Sequence, residues 1–402
     1  MSRPPRWIVI VLVIAVVVPV AWGVFVRVTQ PDDPPAFYDP PDALPAGGPG
    51  TIIRSHDVDT SVDARVQRVL YTSTGADGDP IAVSAVVVAP TGAAPAGGWP
   101  VVAWAHGTSG IASNCAPSLD PDAGLGKIPE LDRLLAAGTV VVATDYPGLG
   151  TPGPHPYLIG ESEGRAVLDS VRAVHSVLGD DVSATTAVYG HSQGGHATVY
   201  AAELAPTYAP ELDIVGVAPM APPTDLATLV EDDDHEAIGI LLTALAIGSW
   251  SAIYPEADES AVVHTGARPF VHEIGENCVS YTAQGIADLP DIVALQLRFL
   301  SADPATAPGW SDIMRDNAAA GTTIKVPVLV AQGLTDDLVR PDVTRAWVER
   351  QCTDGAVIEL HTYAGVGHFE VRTTAAPAVA DWLTARLTGS TAPPTSCSTI
   401  ES

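Results

Sequence analysis

A serine between two glycines restricts the fold of this chain more than any other feature, because the sequence around it changes from a strand pattern to a helix pattern. The pentapeptide Gly190-His191-Ser192-Gln193-Gly194 follows the apolar run Ala187-Val188-Tyr189, and the residues from Gly195 to Leu204 have a helical pattern. The glycines allow a sharp turn and a close approach of strand and helix. The pentapeptide therefore predicts a strand–turn–helix unit that presents the Ser192 hydroxyl as a candidate nucleophile. An ordinary surface turn is the alternative.

A serine hydroxyl is a weak nucleophile unless a histidine and an acid assist it, and in sheets of this kind the acid precedes the histidine in the sequence. The acid is expected at the end of a later strand. The predicted strand from Lys325 to Gly333 runs into two neighbouring aspartates, Asp336 and Asp337. We predict that Asp336 is the acid. Asp337 is the alternative, and whichever aspartate does not serve is solvated or caps a helix.

The histidine is expected in the loop that follows the next strand. That strand is predicted from Val357 to Tyr363, and the loop after it places two glycines before His368. Because a tight loop can hold an imidazole over the serine, His368 is the predicted base. His361 lies within the predicted strand, where a structural role is expected.

Attack of the serine on an acyl carbon would also require two donors for the negative oxygen of the tetrahedral intermediate. The backbone N–H of Gln193 is the first candidate, since Gln193 directly follows the serine at a helix N-terminus. The second is expected after an earlier buried strand, and the segment from Trp99 to Thr108 ends in His-Gly-Thr. We assign the N–H of Thr108. A simple loop in which Gly107 only makes a turn is the alternative.

The order of the remaining elements predicts an α/β fold with a mostly parallel central sheet and helices on both faces. Residues 65–73 and 81–89 have the pattern of a hairpin, and strand and helix patterns then alternate as far as Met220. Residues 222–321 interrupt this alternation. They are predicted to form an insertion within a single domain, since 402 residues with 47% hydrophobic content can bury one large core.

The charge of the chain excludes one class of partner. Nineteen Lys and Arg residues stand against 47 Asp and Glu residues, which gives a formal net charge of −28. Nucleic acid and other polyanions are therefore excluded as partners, whereas a small-molecule or lipid ester is compatible with this charge.

The N-terminus predicts export. Arg3 and Arg6 precede a nearly unbroken apolar stretch from Trp7 to Val26, which is long enough to span a bilayer and favours a cytoplasmic N-terminus. No Ala-x-Ala-like cleavage site is evident. The stretch is therefore predicted to be an uncleaved anchor, which would attach the protein to the outer face of the cell membrane. The alternative is a cleaved signal, which would release the protein.

Four cysteines in an exported chain predict two disulfides, and the sequence alone allows three pairings. Free thiols are the alternative, which export disfavours. No Cys/His pair has the short spacing of a structural zinc site, so we predict no metal.

Several segments together resemble the secretory lipase family, the lipase A type of fungi and its actinobacterial relatives, within the α/β-hydrolases. The resemblance runs from about Tyr38 to Cys397. The matching segments are the serine pentapeptide with its helix, Cys115-Ala116-Pro117-Ser118, Thr144-Asp145-Tyr146-Pro147-Gly148, Glu161 to Ala173, and Tyr208 to Gly216.

The resemblance implies a triad of Ser192, Asp336 and His368, an inserted cap over the site, no cofactor, and hydrolysis of lipid or simpler esters. It also implies disulfides between Cys115 and Cys278 and between Cys352 and Cys397. The expected organisation is listed in chain order: an N-terminal signal or anchor (1–28), a Pro/Gly-rich linker (29–50), the first part of the α/β-hydrolase core (51–221), the cap (222–321) and the second part of the core (322–402).

Three questions stay open at this stage. An acyltransferase would use the same acyl-enzyme, and a non-catalytic binding module could keep the fold. Within the expected cap, the apolar stretch from Ile238 to Trp250 is either packed core or the wall of an acyl-chain pocket. The oligomeric state is not predicted.

Overall fold

One sheet organises the computed structural model, which describes residues 31–232, 237–279, 289–319, 321–389 and residue 397. Within these residues the sheet has nine strands. In chain order they are β1 (Ile52–Asp57), β2 (Arg65–Thr74), β3 (Pro80–Ala89), β4 (Trp99–Ala105), β5 (Val140–Thr144), β6 (Val182–His191), β7 (Asp213–Met220), β8 (Val328–Gly333) and β9 (Ile358–Tyr363).

The spatial order of the strands is β1-β2-β3-β5-β4-β6-β7-β8-β9. The first three strands and β5 pair antiparallel, whereas all pairs from β5 onward in this order are parallel. At the centre, Val188 of β6 pairs with Ala103 of β4 and Val217 of β7. The predicted mostly parallel sheet is confirmed, and the carboxyl ends of its central strands share one edge.

Helices cover both faces of this sheet and also fill the interval between β7 and β8. In chain order they are α1 (Pro121–Leu125), α2 (Leu131–Ala136), α3 (Gly160–Leu178), α4 (Gln193–Tyr208), α5 (Leu226–Asp232), α6 (Ala237–Ile253), α7 (Glu259–Val262), α8 (Arg268–Glu276), α9 (Leu289–Arg298), α10 (Trp310–Asp316), α11 (Pro341–Thr353), α12 (His368–Thr374) and α13 (Ala376–Leu387).

Alternate residues of the strands belong to different apolar clusters on the two faces of the sheet. Val188 packs in the cluster that α3 and α4 cover, while its neighbours Ala187 and Tyr189 pack in the cluster that α2 and α13 cover. Because a strand turns successive side chains to opposite faces, this pattern buries β6 on both sides. The helices thus fix the end of β6, where the serine turn begins.

The described helices between β7 and β8, called the helical insertion below, pack around an apolar cluster that also includes residues 157–159. Trp250 and Trp310 are buried in it, and their ring centroids lie 6.2 Å apart. Leu241 and Leu245 of α6 are also buried there, with 4% and 0% of their surface exposed. The apolar stretch of α6 therefore packs in the interior of the insertion.

Two disulfides connect distant parts of the chain. The structure joins Cys115 to Cys278 and Cys352 to Cys397, the pairs that the resemblance implies. The first bond ties the segment after β4 to the helical insertion. Beside it, Gly110 forms an antiparallel bridge with Cys278, and the N–H of Val279 donates to the Ser109 carbonyl at 2.9 Å.

In the part of the chain that the structure describes, no helix combines the length and apolarity that a membrane span requires. The apolar stretch from Trp7 to Val26, on which the predicted signal or anchor depends, lies outside the described residues.

Candidate active site

Ser192 occupies the sharp turn between β6 and α4. Its backbone has φ 57° and ψ −120°, a conformation that L residues rarely adopt and that costs about 1–3 kcal/mol. A Cβ on Gly190 would lie 2.2 Å from the Gly194 carbonyl oxygen, and one on Gly194 would lie 1.9 Å from the Ala105 carbonyl oxygen. Both positions therefore require glycine, as the sequence pattern indicated.

The structure brings the three predicted residues together at the ends of neighbouring strands. His368 begins α12 just after β9, and its Nε2 lies 2.8 Å from Ser192 Oγ. Its Nδ1 lies 2.9 Å from Oδ2 of Asp336, which follows β8. The two alternatives lie apart from this arrangement: Asp337 is exposed, and His361 is 39% exposed with its Nε2 3.5 Å from Glu359.

The Asp336 carboxylate accepts hydrogen bonds at both oxygens. Oδ1 accepts from the N–H groups of Leu338 and Val339, at 3.0 and 2.8 Å. Oδ2 accepts from Nε2 of Gln332 at 3.1 Å in addition to the His368 ring. The side chain is only 2% exposed. Donors from three directions hold the ionised carboxylate in one orientation, and it in turn fixes the ring of His368.

His191, the residue before the serine, supports the loop of His368. Its Nε2–H donates to the His368 carbonyl at 2.7 Å, and the two ring centroids lie 4.9 Å apart. Burial, and then the nearby charge of His368, hold the pKa of His191 well below its usual range, so this ring is neutral. Sequence reasoning missed this contact, because a serine motif tolerates any residue at this position.

The segment after β4 lies directly against the serine turn. A Cβ on Gly107 would be 3.1 Å from the His191 carbonyl oxygen and 3.7 Å from Ser192 Cβ. Thr108 follows it, is 6% exposed, and has its Oγ1 2.9 Å from the Tyr157 hydroxyl. Gly107 thus packs against the serine turn with Thr108 as the next residue, and Gln193 begins α4 directly after Ser192.

The side chain of Gln193 belongs to a buried polar network behind the serine turn. Its Nε2 donates to Oε1 of Glu163 at 2.8 Å and to Nε2 of His155 at 3.0 Å. His155 can accept there because its Nδ1–H donates to the Pro147 carbonyl at 2.8 Å. Burial lowers the pKa of His155 to about 3, which keeps the ring neutral. Both amide hydrogens of Gln193 are therefore used.

Glu163 of α3 also forms a buried hydrogen bond with a histidine of α4. Its Oε2 accepts from Nδ1–H of His196 on α4 at 3.0 Å, and neither side chain is exposed. His196 Nε2–H donates to the Asn317 carbonyl at 2.8 Å. Both ring nitrogens of this buried histidine are therefore used in hydrogen bonds. The Asn317 Oδ1 accepts from the Gly160 N–H at 3.0 Å, so the network joins α3, α4 and the residue after α10.

A cavity of about 310 Å³ adjoins the serine turn. His191, Thr108 and Phe369 line it close to the triad residues, and Lys127 and Arg372 also contribute to its wall. Within the described residues, no group of three or more His, Cys, Asp or Glu side chains could hold a metal ion.

A mostly parallel sheet whose central strand leads through a serine turn into a helix is the arrangement of the α/β-hydrolases, and this chain has their fold. The model of the family described as secretory lipase matches residues 129–394, more than half of the sequence. The chain belongs to this family, and it is a carboxylic ester hydrolase.

This chain is similar to named relatives and to solved structures over most of its length and of theirs. Lipase 2 of Candida albicans is 28% identical over 409 residues, which cover 93% of this chain and 84% of the relative. A probable inactive lipase of Mycobacterium tuberculosis is 27% identical over 387 residues, covering 90% and 84%. The closed state of Candida antarctica lipase A matches with a TM-score of 0.74 at 20% identity, covering 90% of this chain and 87% of that one.

Proposed function

We propose that the protein hydrolyses carboxylic esters through an acyl-enzyme on Ser192, with His368 as base and Asp336 as its partner. The observation that carries this proposal is the continuous hydrogen-bonded series from Ser192 Oγ through the His368 ring to Asp336, at 2.8 and 2.9 Å. Membership of the secretory lipase family supplies the substrate class, lipid or simpler esters.

The proposed reaction has two stages. The Ser192 oxygen attacks the ester carbonyl while His368 Nε2 takes its proton, and the imidazolium then gives a proton to the departing alcohol oxygen. A water molecule then attacks the carbonyl carbon of the acyl-enzyme while His368 takes its proton. The proton passes to the Ser192 oxygen, and the carboxylic acid and the free serine are released. Asp336 accepts a hydrogen bond from His368 Nδ1–H, which keeps the ring oriented, and it stabilises the imidazolium.

The backbone N–H groups of Gln193 and Thr108 would bind the negative oxygen of each tetrahedral intermediate. The position of Gln193 at the first residue of α4 supports its assignment, because its N–H is one of the unpaired donors of a helix N-terminus. The position of Gly107 against the serine turn supports the assignment of Thr108.

The proposed organisation is that residues 222–321 form a cap on a core made of residues 51–221 and 322–402, with 29–50 as a linker. Residues 1–28 would direct export as a signal or remain as an anchor. The secretory family and the two disulfides support export, since disulfides persist in oxidising compartments. Intact-mass measurement of the mature protein distinguishes a retained segment from a cleaved one.

One relative bears the name of a probable inactive lipase, so a non-catalytic binding module is the second candidate. A fluorophosphonate probe tests the choice, because it labels only a serine that its base activates. We expect labelling of the wild-type protein and none of Ser192→Ala, together with loss of ester hydrolysis by several orders of magnitude. A folded wild-type protein that neither reacts with the probe nor cleaves short esters would overturn the proposal. Acyl transfer is distinguished by adding an alcohol and measuring new ester.

A further inference from the structure

The residues that line the cavity beside the serine turn differ in character. Thr108, which carries a proposed oxyanion donor, lines it together with His191 and Phe369, the sequence neighbours of Ser192 and His368. Apolar side chains such as Trp104 and Leu125 also line it. A substrate chain that extends from the serine into this cavity would therefore meet apolar surface.

Two cations also line the cavity. Lys127 follows α1, and Arg372 is partly exposed on α12, one turn after His368. Neither forms an ion pair with any residue that the structure describes. Partial burial of Lys127, and then the charge of Arg372, lower the pKa of Lys127.

Asp145 is the one acidic residue among the described residues that line the cavity, and it pairs with neither of these cations. Its oxygens accept from the Ser118 N–H and from the hydroxyls of Ser118 and Ser84, and burial raises the pKa of this carboxyl to about 6. His106 and His191 are buried, and burial lowers the pKa of both. Asp120 attracts Lys127 only as a minor influence on its pKa.

Unpaired neighbouring cations are unexpected in this protein. The chain carries a net charge of −28 and has only two lysines, Lys127 and Lys325. The chain therefore has many acidic side chains that could pair with these two cations, yet both cations line one cavity instead. Two like charges on the wall of one cavity repel each other, and an anion bound between them would remove that repulsion.

We propose that this cavity binds a carboxylate borne by the ester substrate, so that the protein prefers esters with an apolar chain ending in an anionic group. The inference rests on the proposed function, because it places the chain of an ester attached to Ser192 in the cavity. The overall negative charge repels such a substrate at long range, but salt screens this repulsion, while Lys127 and Arg372 act at contact distance.

Matched ester pairs test the proposal. Mono-4-nitrophenyl adipate and 4-nitrophenyl hexanoate differ only in a terminal carboxylate on the acyl side. The butyrate ester of 6-hydroxyhexanoate and hexyl butyrate differ in the same way on the alcohol side. We expect wild-type protein to show a higher kcat/KM for the anionic member of one pair, and that pair identifies the part of the ester in the cavity.

Variants then connect the preference to the two cations. Arg372→Gln and Lys127→Gln should each lower the anionic-to-neutral ratio of kcat/KM by about tenfold, the effect of a lost charge-assisted contact, and Lys127→Arg should retain it. Lys325→Gln, which removes the other lysine, is the matched control and should leave the ratio unchanged. Using a ratio also cancels any general loss of activity from a disturbed α12.

The outcomes separate this inference from the proposed function. A ratio near or below one in both pairs, unchanged by all these variants, overturns the carboxylate site while ester hydrolysis stands. Absence of hydrolysis with every ester overturns the proposed function itself. A preference that Lys325→Gln removes as strongly as Lys127→Gln would also overturn the assignment to this cavity.

Discussion

Removal of the Glu163 carboxylate should destabilise the fold far more than removal of an exposed carboxylate from the same helix. Glu163→Ala takes an acceptor from three buried groups, the His196 ring, the Gln193 amide and the Leu158 N–H. A buried donor left without an acceptor costs about 1–3 kcal/mol. For three such donors we expect about 4 kcal/mol, near the lower end of the summed range, because the site can relax around the smaller alanine. For a chain of this size that corresponds to a fall in Tm of roughly 5 °C.

Two further variants make the measurement specific. Glu163→Gln can keep these three contacts, because its Oε1 can accept from the Leu158 N–H and the Gln193 amide while its NH2 donates to His196 Nδ1, so it should cost less than about 1.5 kcal/mol. Glu161→Ala removes an exposed carboxylate from the same helix, where its pair with Arg165 contributes about 0.3–0.5 kcal/mol. Thermal and urea unfolding followed by circular dichroism give the three values. Equal destabilisation by Glu163→Ala and Glu161→Ala would refute the reasoning.

Three other perturbations have expected outcomes. Asp336→Asn should lower kcat by several orders of magnitude, whereas Asp337→Asn should change it little; steady-state kinetics with the reverse ranking would mean that the acid is misassigned. Leu245→Trp should overpack the interior of the helical insertion, lowering the Tm and the rates on short and long esters together, and a selective loss of long-chain rates would instead indicate an acyl pocket. Burial lowers the pKa of His106 to about 4 and of His155 to about 3, from 6.5. The unfolded chain therefore binds protons at these two positions that the folded state resists, and their contribution to the free energy of unfolding should fall as pH drops from 6.5 towards 3. Urea titrations at each pH should show that His155→Gln lacks its share of this fall relative to the wild-type protein.

Much of the framework could be predicted because it depends on local patterns. The order of strands and helices follows from periodicity, and the glycines around Ser192 report a backbone turn that few other residues allow. The order serine, acid, histidine and the positions of Asp336 and His368 after two predicted strands select these residues. The boundaries were less exact. The strand predicted from Lys325 begins at Val328, and Pro327 just before it has no N–H to give to a ladder.

The parts that sequence reasoning missed depend on contacts between distant elements. Glu163 and His196 are 33 residues apart and meet only because α3 packs on α4. Nothing in the local pattern of either helix marks the pair, although a glutamate on the buried face of α3 was a detectable signal. The short helix α1 also escaped prediction. Five residues carry no periodicity, and Asp120, whose side chain accepts from the Ala123 N–H, was the available sign of a helix start.

The bond between Cys115 and Cys278 determines where this protein could be recombined with a homologue. It closes a sequence separation of 163 residues, and Ser109 and Gly110 pair with Val279 and Cys278 beside it. The segment after β4 is thereby held to the end of α8 and the residues that follow it. A chimaera that exchanged all residues between β7 and β8 would replace Cys278 and Val279 but keep the residues with which they pair. A graft designed to alter specificity should instead keep the residues around Cys278 with the parent core.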